Sequence, residues 1–126
     1  MGVRVLYVGR IQQYRSLSQN IALTTSSYKL TDGYFGSKGS SRGVREIHAR
    51  NHEAVAKDFF NKIARGGVLD LKTISGGVLS RMKDGTIISY RKITSSSNSP
   101  AVEIRFRKMK SKHGINDQKI HFVQVK

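Results

Sequence analysis

The sequence predicts an α+β protein in which an N-terminal helical part precedes a four-stranded antiparallel sheet, with the helix packed on one face of the sheet. Three observations favour this class. A helical apolar pattern covers residues 51–65, a hairpin signal follows at Asp84-Gly85, and two alternating strands come after it, at 102–106 and 119–125. The helix and the strands are therefore segregated along the chain.

The helical pattern begins at Asn51, a residue type that favours the N-cap position. Glu53 follows in the first turn, where its charge complements the positive end of the helix dipole. Apolar residues then recur on one side of the helix, with Ala56 and Phe60 widening a stripe formed by Val55, Phe59 and Ile63. The pattern ends at Gly66-Gly67, and we expect its aromatic side to pack on the sheet.

The hairpin signal is Asp84-Gly85, which lies between two alternating runs. Such a pair predicts a type I′ turn, because both central residues of that turn need a positive φ. The first strand, containing Val78, Ser80 and Met82, is expected to pair antiparallel with the chain from Thr86 onward.

The third and fourth strands have clear alternation. In the third, Val102, Ile104 and Phe106 are expected to face the core, and Glu103, Arg105 and Arg107 the opposite side. In the fourth, Ile120 and Phe122 are expected to face the core, and Lys119, His121 and Val123 the opposite side.

Residues 1–44 are interpreted as an N-terminal extension and a Gly/Ser-rich loop, and residues 45–126 as the main domain. Val3 to Val8 alternates like a short strand, and 11–23 has a weak helical pattern without a firm cap. Residues 24–43 are rich in glycine and serine, and we expect a loop there.

Charge is the most informative property of the composition. The 126 residues include 23 Lys and Arg but only 8 Asp and Glu, which gives a formal net charge of +15. A domain this basic attracts polyanions, and RNA is the expected partner, although a merely basic soluble surface is the simpler alternative. The absence of cysteine excludes disulfides, thiolate metal sites and a cysteine nucleophile. No run approaches the length of a membrane span, and no membrane partner or signal peptide is predicted.

Four segments of the main domain resemble the C-terminal nuclease domains of bacterial LXG-type polymorphic toxins. They are AKDFFNKIARGG (56–67), KDGTIISYR (83–91), SPAVEI (99–104) and QKIHFV (118–123). The resemblance implies a fold of the barnase/EndoU/colicin/RelE group and an antibacterial ribonuclease used in interbacterial competition. It further implies secretion, action in the cytoplasm of a target bacterial cell, and neutralisation by a cognate immunity protein. Given the basic charge, we expect that immunity protein to be acidic.

Metal-independent RNA cleavage needs a base, an acid and cations at the scissile phosphate, and it needs no cofactor. Of the four histidines, His121 is the one on a predicted strand, opposite the core residues. If the third and fourth strands pair, its face also carries acidic and basic side chains. The candidate catalytic residues are His121, Arg91, Thr94, Ser95, Lys119 and Glu103, and the candidate nucleic-acid-binding residues are Arg105, Arg107, Lys92 and Lys83.

Two other functions fit the same sequence. A metal-dependent DNase toxin could hold Mg²⁺ with carboxylates and a histidine. A non-enzymatic RNA-binding module would need aromatic side chains exposed on its strands, and Tyr90 is the only strand candidate. His121 itself could instead be a structural histidine bonded within the sheet.

Overall fold

The computed structural model describes residues 6–10, 16–70, 77–93 and 98–126. In these residues the helices are a 3₁₀ turn at Val8–Arg10, α1 at Leu17–Thr25 and α2 at His52–Ile63. The strands are β1 Leu30–Thr31, β2 Tyr34–Phe35, β3 Ser37–Lys38, β4 Val44–Ala49, β5 Val68–Asp70, β6 Gly77–Arg81, β7 Ile87–Arg91, β8 Ala101–Arg105, β9 Ser111–Lys112, β10 Ile115–Asn116 and β11 Gln118–Gln124.

The main sheet has seven strands in the described part of the chain, in the order β3-β4-β11-β8-β7-β6-β5. The predicted α+β class is confirmed, but the predicted four-stranded antiparallel sheet is wrong. The four expected strands are present as β6, β7, β8 and β11, and each pairs antiparallel with the next. Three further strands extend the sheet, and one of them, β4, runs parallel to β11.

Helix α2 packs across one face of the sheet, as its apolar stripe predicts. Phe59 and Ile63 are fully buried against Ile120 and Phe122 in a single core cluster. The ring of Phe59 lies 5.6 Å from the ring of Phe122 and 5.0 Å from that of Phe35, the latter in an edge-to-face arrangement. Burial of these aromatic rings stabilises this layer.

Helix α1 packs on α2 and begins at a capping box that the sequence reading missed. Ser16 Oγ accepts from the backbone N–H of Gln19, and the Gln19 side chain accepts from the N–H of Ser16. The buried Asn20 amide donates to the carbonyl oxygens of Ile63 at 3.0 Å and Arg65 at 2.8 Å. It thereby satisfies carbonyl groups that the end of α2 leaves free.

The loop predicted for 24–43 is wrong in part, because α1 extends to Thr25 and three two-residue strands lie within the segment. Strands β1 and β2 form a hairpin, and β3 pairs antiparallel with β4 at the edge of the main sheet. Phe35 anchors the segment, because it is fully buried and its N–H donates to the Gln118 side chain at 2.9 Å. Tyr28 also packs on the core, with its ring 5.1 Å from that of Phe59. The division of the chain at residue 44 stays a prediction, and the pairing of β3 with β4 crosses it.

The hairpin turn is not of type I′. Gly85 has a φ of 93°, whereas Asp84 does not have a positive φ. Gly85 N donates to Met82 O at 3.0 Å, and the Asp84 carboxylate accepts from Thr86 N at 2.8 Å. This is the type I turn with a following left-handed glycine that closes three-residue hairpin loops.

At the edge of the sheet opposite β3, Val68–Asp70 forms β5, a strand that the sequence analysis did not predict. Tyr7 makes an isolated bridge to Val68. The rest of the predicted strand at Val3 to Val8 lies largely outside the described residues, and Val8 itself begins the 3₁₀ turn.

Candidate active site

The sheet face turned away from α2, here called the open face, carries most of the predicted site. Paired residues of neighbouring strands point to the same face, and successive residues of one strand alternate. Lys119 is paired with Glu103, and His121 with Ala101, across β11 and β8. Arg91 of β7 is paired with Ala101 on its other side. The predicted sharing of one face by the third and fourth strands is therefore confirmed for Glu103 and Lys119.

His121 lies at the floor of a depression in the open face, here called the His121 depression. His121 is 8% exposed, and its Nδ1 lies 3.4 Å from Ser99 Oγ. On the side of β4, its register partner is Glu46. The lining residues are Ser40, Val44, Glu46, His52, Asn98, Ser99, His121, Val123 and Gln124.

A second depression adjoins the first across the pair formed by His121 and Ala101. Ala101 has a small side chain, and its two register partners are His121 and Arg91. With strands about 4.8 Å apart, the backbones of His121 and Arg91 are roughly 10 Å apart. This depression is lined by Leu79, Ile87, Ser89, Arg91, Ala101, Glu103, Arg105 and Lys119.

The pKa of His121 is lowered from its usual value of 6.5. Burial is the largest cause, because it penalises the charged imidazolium, and the positive charge of Lys119 acts in the same direction. The carboxylate of Glu46 opposes both effects. The imidazole is consequently neutral at physiological pH and able to accept a proton.

Glu103 and Arg105 form a two-point ion pair on β8. Arg105 Nε lies 2.9 Å from one carboxylate oxygen of Glu103, and Nη2 lies 3.1 Å from the other. The Arg105 side chain is 62% exposed, so it reaches solvent while holding the carboxylate. The Glu103 carboxylate is therefore paired with Arg105 and is not a free base in this arrangement.

Glu46 belongs to the site, although the sequence did not indicate it. It lies on β4 next to His121, and its Oε1 is 3.1 Å from His48 Nε2. The sequence of β4 lacks a clear alternation of apolar and polar residues, because Arg45 points inward and is only 9% exposed. Its guanidinium donates to the carbonyl oxygens of Phe35 at 3.1 Å and Gly36 at 2.9 Å. An inward arginine removes the apolar signal by which the strand could have been recognised.

The remaining candidates lie elsewhere. Arg107 lies beyond the end of β8, and together with Lys83 it lines a cleft at the β6–β7 turn, away from His121. Lys92 is exposed just after β7. Thr94 and Ser95 lie outside the described residues.

Within the described ranges, no group of three or more His, Cys, Asp or Glu side chains is arranged to hold a metal ion. No helix among these residues is long and apolar enough to cross a membrane. No known family, curated protein or solved structure matches the chain.

Proposed function

We propose that this protein is a ribonuclease that cleaves RNA by metal-independent acid/base catalysis at the His121 depression. The observation that carries the proposal is a nearly buried imidazole of lowered pKa on an open face that also carries Lys119, Arg91 and Arg105. A neutral imidazole accepts a proton near pH 7, and the cations attract a phosphodiester.

The chemistry follows from this arrangement. The 2′-hydroxyl oxygen attacks the adjacent phosphorus, and its proton moves to the neutral imidazole of His121. The bond from phosphorus to the 5′ oxygen breaks, leaving a 2′,3′-cyclic phosphate and a 5′-hydroxyl end. The ammonium of Lys119, two residues away on the same strand and face, supplies the proton for the leaving oxygen. Arg91 stabilises the negative charge that builds up on the phosphoryl oxygens.

The open face fits an enzyme better than a base-stacking RNA-binding module. Tyr90, the strand aromatic that could have stacked on a base, points toward α2, where its ring lies 5.8 Å from that of Phe60. On the open face of the described strands β4, β6, β7, β8 and β11, no Phe, Tyr or Trp side chain is present. Sheet-based RNA-binding modules hold bases by stacking on such side chains.

We further propose that the ribonuclease is an antibacterial toxin of the LXG type, secreted by its producer and active in the cytoplasm of a target bacterial cell. The segments that resemble those toxins form most of α2, the β6–β7 turn with β7, most of β8 and most of β11. The same segments supply Phe59 and Phe122 to the core, and Ser99, His121 and Val123 to the His121 depression. The net charge of +15 suits capture by an acidic immunity protein.

The ribonuclease proposal is tested by incubating the purified protein with total RNA and with plasmid DNA, each with and without EDTA. Degradation of RNA in EDTA with intact DNA supports the proposal. Loss of DNA that depends on Mg²⁺ would instead show a metal-dependent DNase, and binding without degradation would show an RNA-binding module.

The immunity partner is tested by its charge and its footprint. An acidic protein from the producing cell should bind the chain and block RNA cleavage. Its interface should include Arg91, Lys119 and Arg105, so that their substitution weakens the complex and raises its sensitivity to salt. A basic protector, or one that binds only the outer side of α2, would contradict this part of the proposal.

A further inference from the structure

Five cationic residues gather at the end of the sheet where the β6–β7 turn meets the segment after β8. They are Lys83, Arg107, Lys108, Lys110 and Lys112, and they are called here the hairpin-end cluster. A cleft between the two segments is lined by four of them, together with Phe106 and Met109. Apart from Lys112, which is partly exposed, all of these cations are exposed to solvent.

The two carboxylates in this region, Asp84 and Asp117, have structural roles. Asp84 accepts from Thr86 N at 2.8 Å, and its other oxygen lies 3.2 Å from Lys112 Nζ and 4.0 Å from His113 Nε2. Asp117 accepts from Phe106 N at 2.8 Å. These contacts hold the β6–β7 turn and the segment after β8 in place. Because five cations face only two carboxylates, the cleft is strongly positive.

The hairpin-end cluster is separate from the His121 depression. Ala101 is paired with His121, and Phe106 lies five residues further along the same chain segment. At about 3.3 Å per residue, the two places are roughly 17 Å apart. The exposed guanidinium of Arg105, which is paired with Glu103, lies between them on the open face. A single phosphodiester cannot reach both places, whereas a longer strand can follow the cations from one to the other.

We propose that the hairpin-end cluster binds backbone phosphates of an RNA strand several nucleotides away from the bond cut at His121. This inference rests on the proposed ribonuclease function and adds that the substrate is an extended RNA strand rather than a short fragment. Because arginine and lysine contact phosphates without reading bases, the cluster contributes affinity and not sequence preference.

The test compares Lys108→Ala/Lys110→Ala with Lys29→Ala/Lys57→Ala, a control that removes the same charge from exposed positions elsewhere. Cleavage is measured on a dinucleotide and on an oligonucleotide of about 16 nucleotides, the upper size of common single-strand sites. The cluster variant should raise KM for the oligonucleotide, leave its kcat unchanged, and leave kcat/KM for the dinucleotide unchanged.

Binding of the same oligonucleotide is measured in the His121→Ala background across a range of salt concentrations. In a plot of log K, where K is the association constant, against log salt concentration, the negative slope should become less steep by about 0.7 for each lost phosphate contact. Two lost contacts correspond to roughly 25-fold weaker binding at about 0.1 M salt, if the affinities converge near 1 M.

The outcomes separate the two proposals. If the control variant loses as much oligonucleotide affinity as the cluster variant, the proposed role of the hairpin-end cluster is overturned. The same holds if the cluster variant loses as much activity on the dinucleotide as on the oligonucleotide. Neither result contradicts the ribonuclease proposal. If the parent cleaves no RNA but the oligonucleotide still binds through the cluster, the ribonuclease fails and the cluster remains an RNA-binding surface. Parental binding and KM in the cluster variant would overturn the inference directly.

Discussion

Ser99 Oγ lies 3.4 Å from Nδ1 of His121, and this contact ties the segment before β8 to the central strand β11. Ser99 is 9% exposed and His121 is 8% exposed, so the contact is almost fully shielded from water. A contact at Nδ1 orients the imidazole ring. Ser99 is therefore a positioning residue for the proposed base.

Replacing His121 with alanine should abolish RNA cleavage and leave RNA binding in place. A general acid/base contributes roughly 10² to 10⁴ in rate, whereas the phosphate contacts come from arginine and lysine side chains. The measurements are the cleavage rate and the dissociation constant for the same oligonucleotide, with thermal unfolding recorded alongside.

A matched control for this prediction is His113→Asn. His113 has a φ of 56° in the loop between β9 and β10, and asparagine tolerates that left-handed conformation. The control should keep parental activity. A folded His121→Ala protein that cleaves RNA at nearly the parental rate would show that the base lies elsewhere. Loss of both fold and activity would favour the structural role of His121.

The pKa of His121 should respond in opposite directions to its two charged neighbours. Lys119 lowers this pKa and Glu46 raises it, in addition to the larger effect of burial. Lys119→Gln should therefore raise the pKa of His121, and Glu46→Gln should lower it further. Titration of the imidazole C–H resonances by NMR measures each shift. Shifts of the same sign in both variants would contradict the proposed electrostatics.

The lowered pKa also makes stability depend on pH. Below the unfolded-state pKa of about 6.5, the unfolded chain takes up a proton at His121 that the native protein still excludes. The free energy of unfolding should consequently fall as the pH drops below that value, until the native imidazole is protonated too. Over this pH range, the free energy of unfolding measured by urea titration should fall less for His121→Gln than for the parent. An equal loss would show that other groups cause the acid sensitivity.

Local patterns correctly predicted the antiparallel pairing of β6, β7, β8 and β11, but not that of β3 with β4 or of β5 with β6. Strand β8 and strand β11 alternate cleanly, with Val102, Ile104, Ile120 and Phe122 fully buried, so their pairing and shared face could be inferred. Helix α2 likewise had a complete apolar stripe. In each case the signal lies within a few residues of sequence, where periodicity is informative.

Such local patterns cannot predict the pairing of strands that are far apart in the sequence. The parallel pairing of β4 with β11 joins residues 44–49 to residues 119–124, and no turn or hairpin signal connects distant parallel strands. The inward Arg45 also hid the alternation of β4. As a result Glu46, which lies next to His121 in the folded protein, could not be predicted as part of the site.

Phe59 should be among the most sensitive positions for stability. Its ring is fully buried and lies 5.1 Å from Tyr28, 5.0 Å from Phe35 and 5.6 Å from Phe122, so it joins α2 to three other segments. Phe59→Ala should cost about 3 to 5 kcal/mol of unfolding free energy, because it removes the ring and leaves a cavity. Val55→Ala, on the same helix but partly exposed, provides the milder control. Similar losses in chemical denaturation would show that Phe59 is not central to the core.

Two glycines with positive φ should differ sharply when each is replaced by alanine. Gly85 has a φ of 93°, and a Cβ there would meet nothing within 4 Å, so Gly85→Ala should cost only the backbone strain, about 1 to 2 kcal/mol. Gly36 has a φ of 68°, and a Cβ there would collide with the carbonyl oxygen of Glu46. Backbone cannot move aside like the end of a flexible side chain. Gly36→Ala should therefore pay the same strain and also push the segment between β2 and β3 away from β4, weakening the bond from Arg45 to Gly36 O. Urea unfolding of the two variants measures the difference, and equal destabilisation would contradict the close approach of Gly36 to β4.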